Sequence, residues 1–445
     1  MSTPSEPTGD DEASSARATH DAYAALREPN YRLFAFGWTL ASTGLQMQAA
    51  AVLWEIYERT GDPLLVGVAG LARALPVLLL ALPAGRIIDL LDRKRVLIAT
   101  QVAFAAASCG LALASYQGAP VWLLLGLLVL TGCARVFNGP SRSSLLPTIV
   151  PATRFQNAVT WNSGLFHLSA AGGPALAGVM IAQLGGAWPV YGAAALACLV
   201  FAALATGIKP MAMPREEPGA ASLWEAIRPG VLLPGMLEGV RHMYREKTVL
   251  AAIALDLLAV LFGGVTALLP IYAKEILQVG PEGYGVLRSA QAVGALAMAM
   301  VLAHRRPFER AGPALLWSVA GFGVCTIVFG LSTSFVLSVA MLALLGALDG
   351  VSVVIRHVLV TLRTPDRLRG RVSAVNSVFI ESSNEVGNFQ SGLVAKLAAG
   401  WFGVAGGAVF SAVAGGVGTI VVVAMVAVAW PQLRRLRRLD DPGES

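Results

Sequence analysis

The chain has 445 residues, of which 56% are hydrophobic and only 13% are charged. Soluble globular proteins carry about 25% charged residues, so this composition excludes an ordinary soluble domain and indicates a membrane protein. The net charge of +6 does not indicate a nucleic-acid partner, because the basic residues lie in short segments between apolar runs. We expect the lipid bilayer to surround the chain and no nucleic acid to bind it.

The amino-terminal segment is acidic and rich in Ser and Thr. It lacks the order of a cleavable signal peptide, in which basic residues precede a short apolar run. We expect residues 1–30 to form a disordered cytoplasmic tail.

Twelve apolar runs follow, each close to the roughly 20 residues that a helix needs to cross a bilayer. The runs are continuously apolar, whereas the strands of a membrane barrel alternate. The four cysteines fall inside these runs and are expected to pack as small apolar residues. The predicted spans are 33–56, 64–84, 95–115, 120–140, 158–182, 187–207, 249–272, 284–303, 314–332, 335–358, 374–398 and 404–430.

The distribution of basic residues predicts the orientation. An even number of spans places both termini on one side, and nearly all Lys and Arg residues then lie on that side. Only Arg59, Lys274 and Lys396 lie at the other side. Because cytoplasmic loops carry the excess of Lys and Arg, both termini of this multi-pass protein are expected in the cytoplasm, with the chain in the cell (inner) membrane. The basic tail, 431–445, is expected to lie against the cytoplasmic leaflet.

The sequence also indicates an internal duplication, in which the second half of the chain repeats the first. The longest gap between spans, 209–247, contains the amphipathic segment MLEGVRHMYREK and divides the chain into residues 31–208 and 248–430. When the second part is laid on the first in one constant register, Arg142 falls on Arg356 and the pair Asn162-Ser163 falls on Asn376-Ser377. Two parallel six-helix halves are a transporter architecture with the substrate site between them. The predicted fold class is an all-α membrane protein with twelve transmembrane helices in two such halves.

The loop GRIIDLLDRKR, residues 85–95, resembles the signature between helices 2 and 3 of the major facilitator superfamily, G-x-L-A-D-R-x-G-R-R. Gly85, Asp89, Arg93 and Lys94 fall on its fixed positions, whereas Leu90 and Asp92 depart from it. The resemblance covers residues 30–430, and its Asp-for-Gly departure is similar to the drug:proton antiporter and enterobactin-exporter-like branch. It implies the major facilitator fold and a gating contact between Asp89 and the start of helix 11 when the protein is open outward. The alternative is that these charges only fix the topology.

Helices 4 and 5 carry two further resemblances. The segment from Arg135 to Gly139 is similar to the superfamily motif R-x-x-Q-G, with Asn138 in place of Gln. The segment SAAGGPALAG, 169–178, is similar to the antiporter motif of helix 5 and contains Gly173, Pro174 and Gly178. In the superfamily the second motif accompanies exporters, whereas close packing of small residues is the alternative reading.

An arginine inside a span costs about 2.5–3.5 kcal/mol on insertion scales and therefore needs a partner or a watery cavity. Asp89 is a candidate partner for Arg135 or Arg142. Asp349, which falls on Arg135 in the repeat, is another. Independent exposure of Arg135 and Asp349 to the cytoplasmic vestibule is the alternative.

Ionisable residues inside spans are functional candidates. His167 lies on helix 5, and the proton-coupling candidates are Asp256, Asp349, Glu381 and Glu385. Glu381 and Glu385 are four residues apart and so share one helix face. Such acids can bind and release a proton as water access alternates, although a structural role in bonds to neighbouring amides is equally open. Further cavity candidates are Gln46, Gln48 and Arg356.

No enzyme motif such as HExxH, a Walker loop or GxSxG occurs in the sequence, and no cofactor or metal is expected. We expect a monomeric, proton-coupled exporter of a small amphipathic molecule, a drug or a siderophore, that works by alternating access with a cavity lined by helices 1, 4, 7 and 10. Alternatives are a transporter of a lysophospholipid or of a metabolite such as a sugar, and a non-transporting receptor. An apolar cavity open to lipid would favour the lysophospholipid, and a cavity lined by Asn, Gln and Trp would favour the sugar.

Overall fold

The computed structural model describes residues 21–211, 241, 243–305, 309–365 and 368–437, and these ranges contain helices and no strand. We number the long helices in chain order. They are α1 Pro29–Thr60, α2 Pro63–Leu90, α3 Arg93–Tyr116, α4 Val121–Leu145, α5 Ala152–Leu184, α6 Trp188–Gly207, α7 Lys247–Phe262, α8 Gly280–Ala303, α9 Ala311–Leu331 and α10 Phe335–Arg363. Short turns of 3-10, α and π helix between Val265 and Ile276 extend α7.

The last long helical run, Arg369–Ala429, contains two spans rather than one. Gly403 interrupts it with φ 72° and ψ 172°, outside the helical region. The Ser411 hydroxyl donates to the Ser391 carbonyl at 2.8 Å, so the two limbs lie side by side and antiparallel. We call residues 369–402 α11 and residues 404–429 α12.

Ten helical segments among the described residues are long and apolar enough to cross a membrane, and one of them, Val375–Ala429, contains both α11 and α12. Helix α1 is 32 residues long but is not among the ten, because polar side chains such as Gln46 and Gln48 lower its apolar character. Each predicted span thus corresponds to one of the helices α1–α12.

The internal repeat is visible in the packing. In the amino-terminal half, α1 packs on α5 and α6, α2 on α4, and α3 on α4 and α6. The carboxy-terminal half repeats this pattern, with α8 on α10 and α9 on α10 and α12. The halves meet through two equivalent pairs, α5 with α8 and α11 with α2. A Cβ at Gly178 would lie 3.1 Å from the Gly285 Cα, and one at Gly392 would lie 3.3 Å from the Gly67 Cα, so glycine permits both close approaches.

The buried apolar residues show which end of the bundle is closed. We call the end where α1 begins the terminal end and the end where α1 meets α2 the opposite end. At the terminal end, each half has its own core cluster, around Phe34 and Phe201 in one half and around Leu315 and Leu359 in the other. At the opposite end, a single large cluster contains residues of both halves. The two halves are therefore packed together at the opposite end and separate toward the terminal end.

The segments outside the bundle differ in part from expectation. Residues 21–28 precede α1 and are ordered, because the Ala22 carbonyl accepts hydrogen bonds from Asn157 at 2.8 Å and Trp161 at 2.9 Å. The predicted disordered tail, which extended to residue 30, is corrected to this extent. The carboxy-terminal segment docks on α9, where the Ala311 N–H donates to the Arg437 carbonyl at 2.8 Å. Most of the predicted linker, 209–247, lies outside the described residues.

Candidate functional site

A cavity of about 690 Å³, which we call the main cavity, lies between the two halves. Helices α1 to α5 and α11 line it. It extends from Ala49 and Leu128, near the middle of the bundle, to Trp38, Ser143 and Ser377, nearer the terminal end. Because the halves are packed together beyond it, the main cavity faces the terminal end.

One wall of the main cavity is aromatic. The rings of Trp38 and Phe166 lie nearly parallel with centroids 6.5 Å apart, and Phe104 lines the cavity from α3. The Arg142 guanidinium lies 4.4 Å from the centroid of the Trp38 ring, a cation–π distance. This wall can bind a flat or apolar body beside a positive charge.

Amide side chains supply the polar part of the lining. The Gln48 Oε1 accepts a hydrogen bond from the Ser108 hydroxyl at 2.5 Å, and the Asn138 Nδ2 donates to the Thr100 hydroxyl at 3.0 Å. The buried Gln101 Oε1 has no partner among the described residues. Gln46 also lines this space. The cavity thus presents hydrogen-bonding groups as well as apolar surface.

A second cavity, of about 210 Å³, shares several lining residues with the main cavity, and we call it the charged chamber. Two ion pairs line it. Arg73 of α2 bonds Glu385 of α11, and the Arg135 Nη2 of α4 lies 3.3 Å from the Glu381 Oε1 of α11. Both pairs join one half of the molecule to the other. The Arg135–Glu381 pair is the more exposed, with 47% and 43% of its side chains accessible, against 24% and 13% for Arg73 and Glu385.

Polar contacts also hold the opposite end closed. Lys396 Nζ lies 2.9 Å from Asp62 Oδ2. The Tyr57 hydroxyl donates to Glu275 Oε1 at 3.1 Å, and the Tyr284 hydroxyl donates to the Ala50 carbonyl at 2.9 Å. Each contact crosses between the halves, so all of them must break before the opposite end can open.

A third group of charges lies inside the carboxy-terminal half. Asp256 of α7 forms an ion pair with Arg356 of α10, and both residues are buried, at 6% and 7% exposure. The Arg356 Nε also donates to the Ser352 hydroxyl at 3.2 Å. Asp349 lines a small space next to Asp256. This group faces the interior of one half rather than the main cavity.

Residues 20–434 match the protein family described as transmembrane secretion effector. The chain belongs to this family. Within the described residues, the motif resemblance, the twelve helices and a cavity between two repeated halves agree with that membership. The predicted resemblance to the major facilitator superfamily and its efflux branch is thereby confirmed, as is the expectation of a transporter rather than an enzyme.

The chain is similar to the multidrug efflux pump Tap of Mycobacterium tuberculosis, with 27% identity over 421 residues, 91% of this chain and 94% of Tap. It is also similar to the enterobactin exporter EntS of Shigella boydii, with 24% identity over 413 residues, 92% of this chain and 94% of EntS. Among solved structures, the nucleoside transporter NupG has a TM-score of 0.70 at 11% identity, covering 90% of this chain and all of NupG. The last likeness shows the shared fold alone.

The family's loop between α2 and α3 is only partly described. Gly85 and Asp89 lie near the end of α2, and their side chains fall outside the described residues, so the gating contact of Asp89 stays a prediction. Lys94 donates to the carbonyls of Thr206 and Ile208, at 2.8 and 2.7 Å. Arg93 donates to the Ser144 carbonyl at 3.1 Å. The bonds of both residues stay within the amino-terminal half.

Asp92, which departs from the loop motif, has a local structural role. Its Oδ1 accepts the N–H groups of Lys94 and Arg95 at 2.9 and 3.0 Å, which caps the start of α3. An aspartate at this position therefore stabilises the helix that follows the loop.

The helix 5 motif lies at two helix contacts. Gly173 faces Gln46 and Thr43 of α1, and Gly178 faces Pro281 and Gly285 of α8. Pro174 is buried in the interior of α5. His167 lies against the Phe166 ring and does not belong to the lining of the main cavity.

Two expectations about charged residues and one about the helices that line the main cavity are wrong. Arg356 does not line the main cavity, because it is buried in its ion pair with Asp256. Arg135 bonds Glu381 rather than Asp349, which lies in the interior of the other half. The main cavity is lined by α1 and α4 as expected, but α2 and α11 take the place of α7 and α10.

The sequence interpretation missed two arginines that line the charged chamber, Arg73 and Arg288. Both lie inside predicted spans, and the cost of an arginine there was a usable signal. Trp38 and Gln101 were also missed, and nothing in the sequence distinguishes them from other residues of apolar spans.

Proposed function

We propose that this family member exports a small amphipathic molecule in exchange for protons by alternating access. One observation supports the proposal above the rest. Two carboxylates of α11, Glu381 and Glu385, each bind an arginine of the opposite half beside the main cavity. Protonation of either glutamate removes the negative charge that holds the two halves together at that point.

Glu385 is the better candidate for the coupling proton. It lies farther from the terminal end than Glu381, and it is the less exposed of the two acids. When the opposite end opens, the Glu385 carboxylate becomes accessible to protons from that side. Its protonation then breaks the ion pair with Arg73. When the opposite end closes again, loss of the proton to the terminal side restores the ion pair between Arg73 and Glu385.

The direction of transport follows from the predicted topology. With both termini in the cytoplasm, the main cavity faces the cytoplasm and the closed opposite end faces outward. A substrate then enters from the cytoplasm and leaves after the contacts between Asp62 and Lys396 and between Tyr57 and Glu275 break. Protons moving down their gradient at Glu385 would drive this step in the outward direction.

The substrate class rests on the cavity and on the relatives together. The lining combines aromatic rings, aliphatic side chains and amides, which suits an amphipathic molecule with polar groups. Tap is a multidrug efflux pump and EntS an enterobactin exporter, so a drug or a siderophore fits both the lining and the family.

A metabolite or sugar transporter is the second candidate, and a specific observation favours it. Gln46, Gln48, Gln101, Asn138 and Trp38 all line the main cavity. Amides that hydrogen-bond hydroxyl groups, with an aromatic platform, would suit a sugar. The arginines in the same lining have no role in binding a neutral sugar, and for that reason the amphipathic substrate is preferred.

Transport into inside-out membrane vesicles tests the proposal. Wild-type vesicles energised with a proton gradient should concentrate a fluorescent substrate, and an uncoupler should abolish this accumulation. Glu385→Gln mimics the protonated acid permanently, so it should lose uphill accumulation while still exchanging substrate between two equal pools. Glu282→Gln, which changes an exposed acid near the start of α8, is the matched control.

Two results would contradict the proposal. Uphill accumulation by Glu385→Gln at the wild-type level would show that the proton is carried elsewhere. Accumulation by the wild type that survives the uncoupler would exclude proton coupling altogether.

A further inference from the structure

The positive and negative side chains that line the main cavity and the charged chamber, two adjoining spaces with shared lining residues, are unequal in number. Among the described residues, four arginines and two glutamates line the main cavity and the charged chamber, which leaves an excess of two positive charges. These residues are Arg73, Arg135, Arg142, Arg288, Glu381 and Glu385.

Two of the arginines are neutralised by acids and two are not. Arg73 bonds Glu385, and Arg135 bonds Glu381. Arg142 lies over the Trp38 ring, which offers a weak attraction and no negative charge. Arg288 of α8 is half-buried, and within the described part of the chain it has no hydrogen bond or ion pair of its side chain.

Arg288 is accessible to a ligand in the space between the halves. It lines the charged chamber and also a smaller space of about 30 Å³ between the halves. An unpaired arginine at membrane depth is costly unless water or an anion compensates it, and such residues mark substrate or ion pathways. The planar guanidinium donates two parallel hydrogen bonds to a carboxylate or a similar group of oxygens. The Gln46 amide lines the same chamber and can add a third donor.

The two cavities together match a molecule with two different ends. The chamber is small and lined by charged and amide side chains, whereas the main cavity has the aromatic wall of Trp38 and Phe166. We infer that the substrate is an amphipathic organic anion, whose anionic oxygens are bound by Arg288 in the charged chamber and whose apolar body lies in the main cavity. This inference rests on the proposed function, because it names the substrate of the same site.

The charge of Arg142, which no acidic side chain neutralises among the described residues, also favours an anionic substrate. It lies on the aromatic wall of the main cavity, whereas Arg288 lines the charged chamber, so each of the two spaces has an arginine without an acidic partner in the described part of the chain. A cationic drug would meet two uncompensated arginines and is disfavoured by the same arrangement that favours an anion.

A pair of dyes with one ring system and opposite charge tests the inference. Fluorescein is an anion and rhodamine 123 a cation, and both carry the flat xanthene ring. Fluorescence polarisation with the purified full-length protein in detergent gives a Kd for each dye. The wild type should bind fluorescein at least about tenfold more tightly than rhodamine 123, as expected when one charged hydrogen-bonding group is matched or opposed.

Variants at Arg288 locate the effect. Arg288→Gln should weaken fluorescein binding about tenfold or more and leave rhodamine 123 binding unchanged or tighter. Arg288→Lys should retain the preference for the anion, which also shows that the site tolerates substitution. Arg305→Gln, which changes an exposed arginine just after α8, is the matched control and should change neither Kd.

The inference is overturned if the wild type prefers rhodamine 123, if it binds neither dye, or if Arg288→Gln weakens both dyes equally. These outcomes are separate from the proposed function. Proton-driven export of rhodamine 123 by the wild type, together with weak binding of fluorescein, would uphold export and reject the anion. Tight, Arg288-dependent fluorescein binding without proton-driven accumulation would uphold the anionic substrate and reject proton-driven export.

Discussion

Helices α4 and α10 occupy equivalent places in the two halves, yet the arginine of each helix has different surroundings. Arg142 of α4 lies over Trp38 on the wall of the main cavity. Arg356 of α10, its counterpart in the repeat, is buried in an ion pair with Asp256 of α7. One copy of the repeat therefore places its arginine on the wall of the main cavity, and the other encloses it in the protein.

A residue of a neighbouring helix, α1 in one half and α7 in the other, explains the difference between the two arginines. In the repeat, Asp256 of α7 falls on Ser42 of α1. An acid at this place attracts the arginine into the interior of the carboxy-terminal half, whereas the serine leaves Arg142 to the aromatic wall. The main cavity is consequently asymmetric and belongs mostly to the amino-terminal half and α11.

The largest expected effect is on stability in the carboxy-terminal half. Asp256→Ala leaves Arg356 buried without its counter-charge, which costs about 3–5 kcal/mol in the free energy of unfolding. The melting temperature of the protein in detergent should fall accordingly. Asp256→Ala combined with Arg356→Leu removes both charges and should recover most of the loss. If the double variant is as unstable as the single one, the ion pair is not what makes Arg356 tolerable.

The equivalent change in the amino-terminal half should have a smaller effect of a different kind. Arg142→Leu removes a cation–π contact worth about 0.5–2 kcal/mol and leaves no charge unpaired. The melting temperature should change little, whereas the Kd for fluorescein should rise. A loss of stability as large as that of Asp256→Ala would show that Arg142 is structural and would remove the contrast between the two helices.

The smallest expected effect concerns the exposed pair Arg135–Glu381. Ion pairs this exposed contribute about 0–1 kcal/mol to stability. A double-mutant cycle with Arg135→Gln and Glu381→Gln should therefore give a coupling energy in this range, from melting temperatures or from denaturant titrations. A coupling as large as that between Asp256 and Arg356 would mean that α4 and α11 are locked together rather than free to separate.

The fold could be predicted from the sequence because the signals are long and repeated. Apolar runs of about 20 residues, the length that a helix needs to cross a bilayer, indicated twelve spans. The matches between the two parts of the chain in one register indicated the two halves. The least apolar of these helices, α1, was among the predicted spans, as 33–56. The loop motif and the helix 5 motif led to the correct superfamily and branch.

The charged partners could not be predicted in the same way. Arg73 and Glu385 lie in different halves, far apart in the chain, and nothing local relates them. The symmetry of the repeat suggested Asp349 as the partner of Arg135, but the repeat fixes backbone positions and not the direction of long side chains. Helix α11 inserts Glu381 and Glu385 against the other half, which only the packing of α11 on α2 reveals.

The most direct test of the account is a distance across the opposite end, measured as a function of the charge on Glu385. Spin labels at Gln117→Cys and Thr333→Cys, both exposed and on opposite halves, report whether that end is closed, in a protein whose four native cysteines are replaced. Pulsed electron paramagnetic resonance should give one short distance with Glu385 intact, and Glu385→Gln should add a population at longer distance. Identical distance distributions in the two proteins would contradict the claim that the charge of Glu385 holds the halves together.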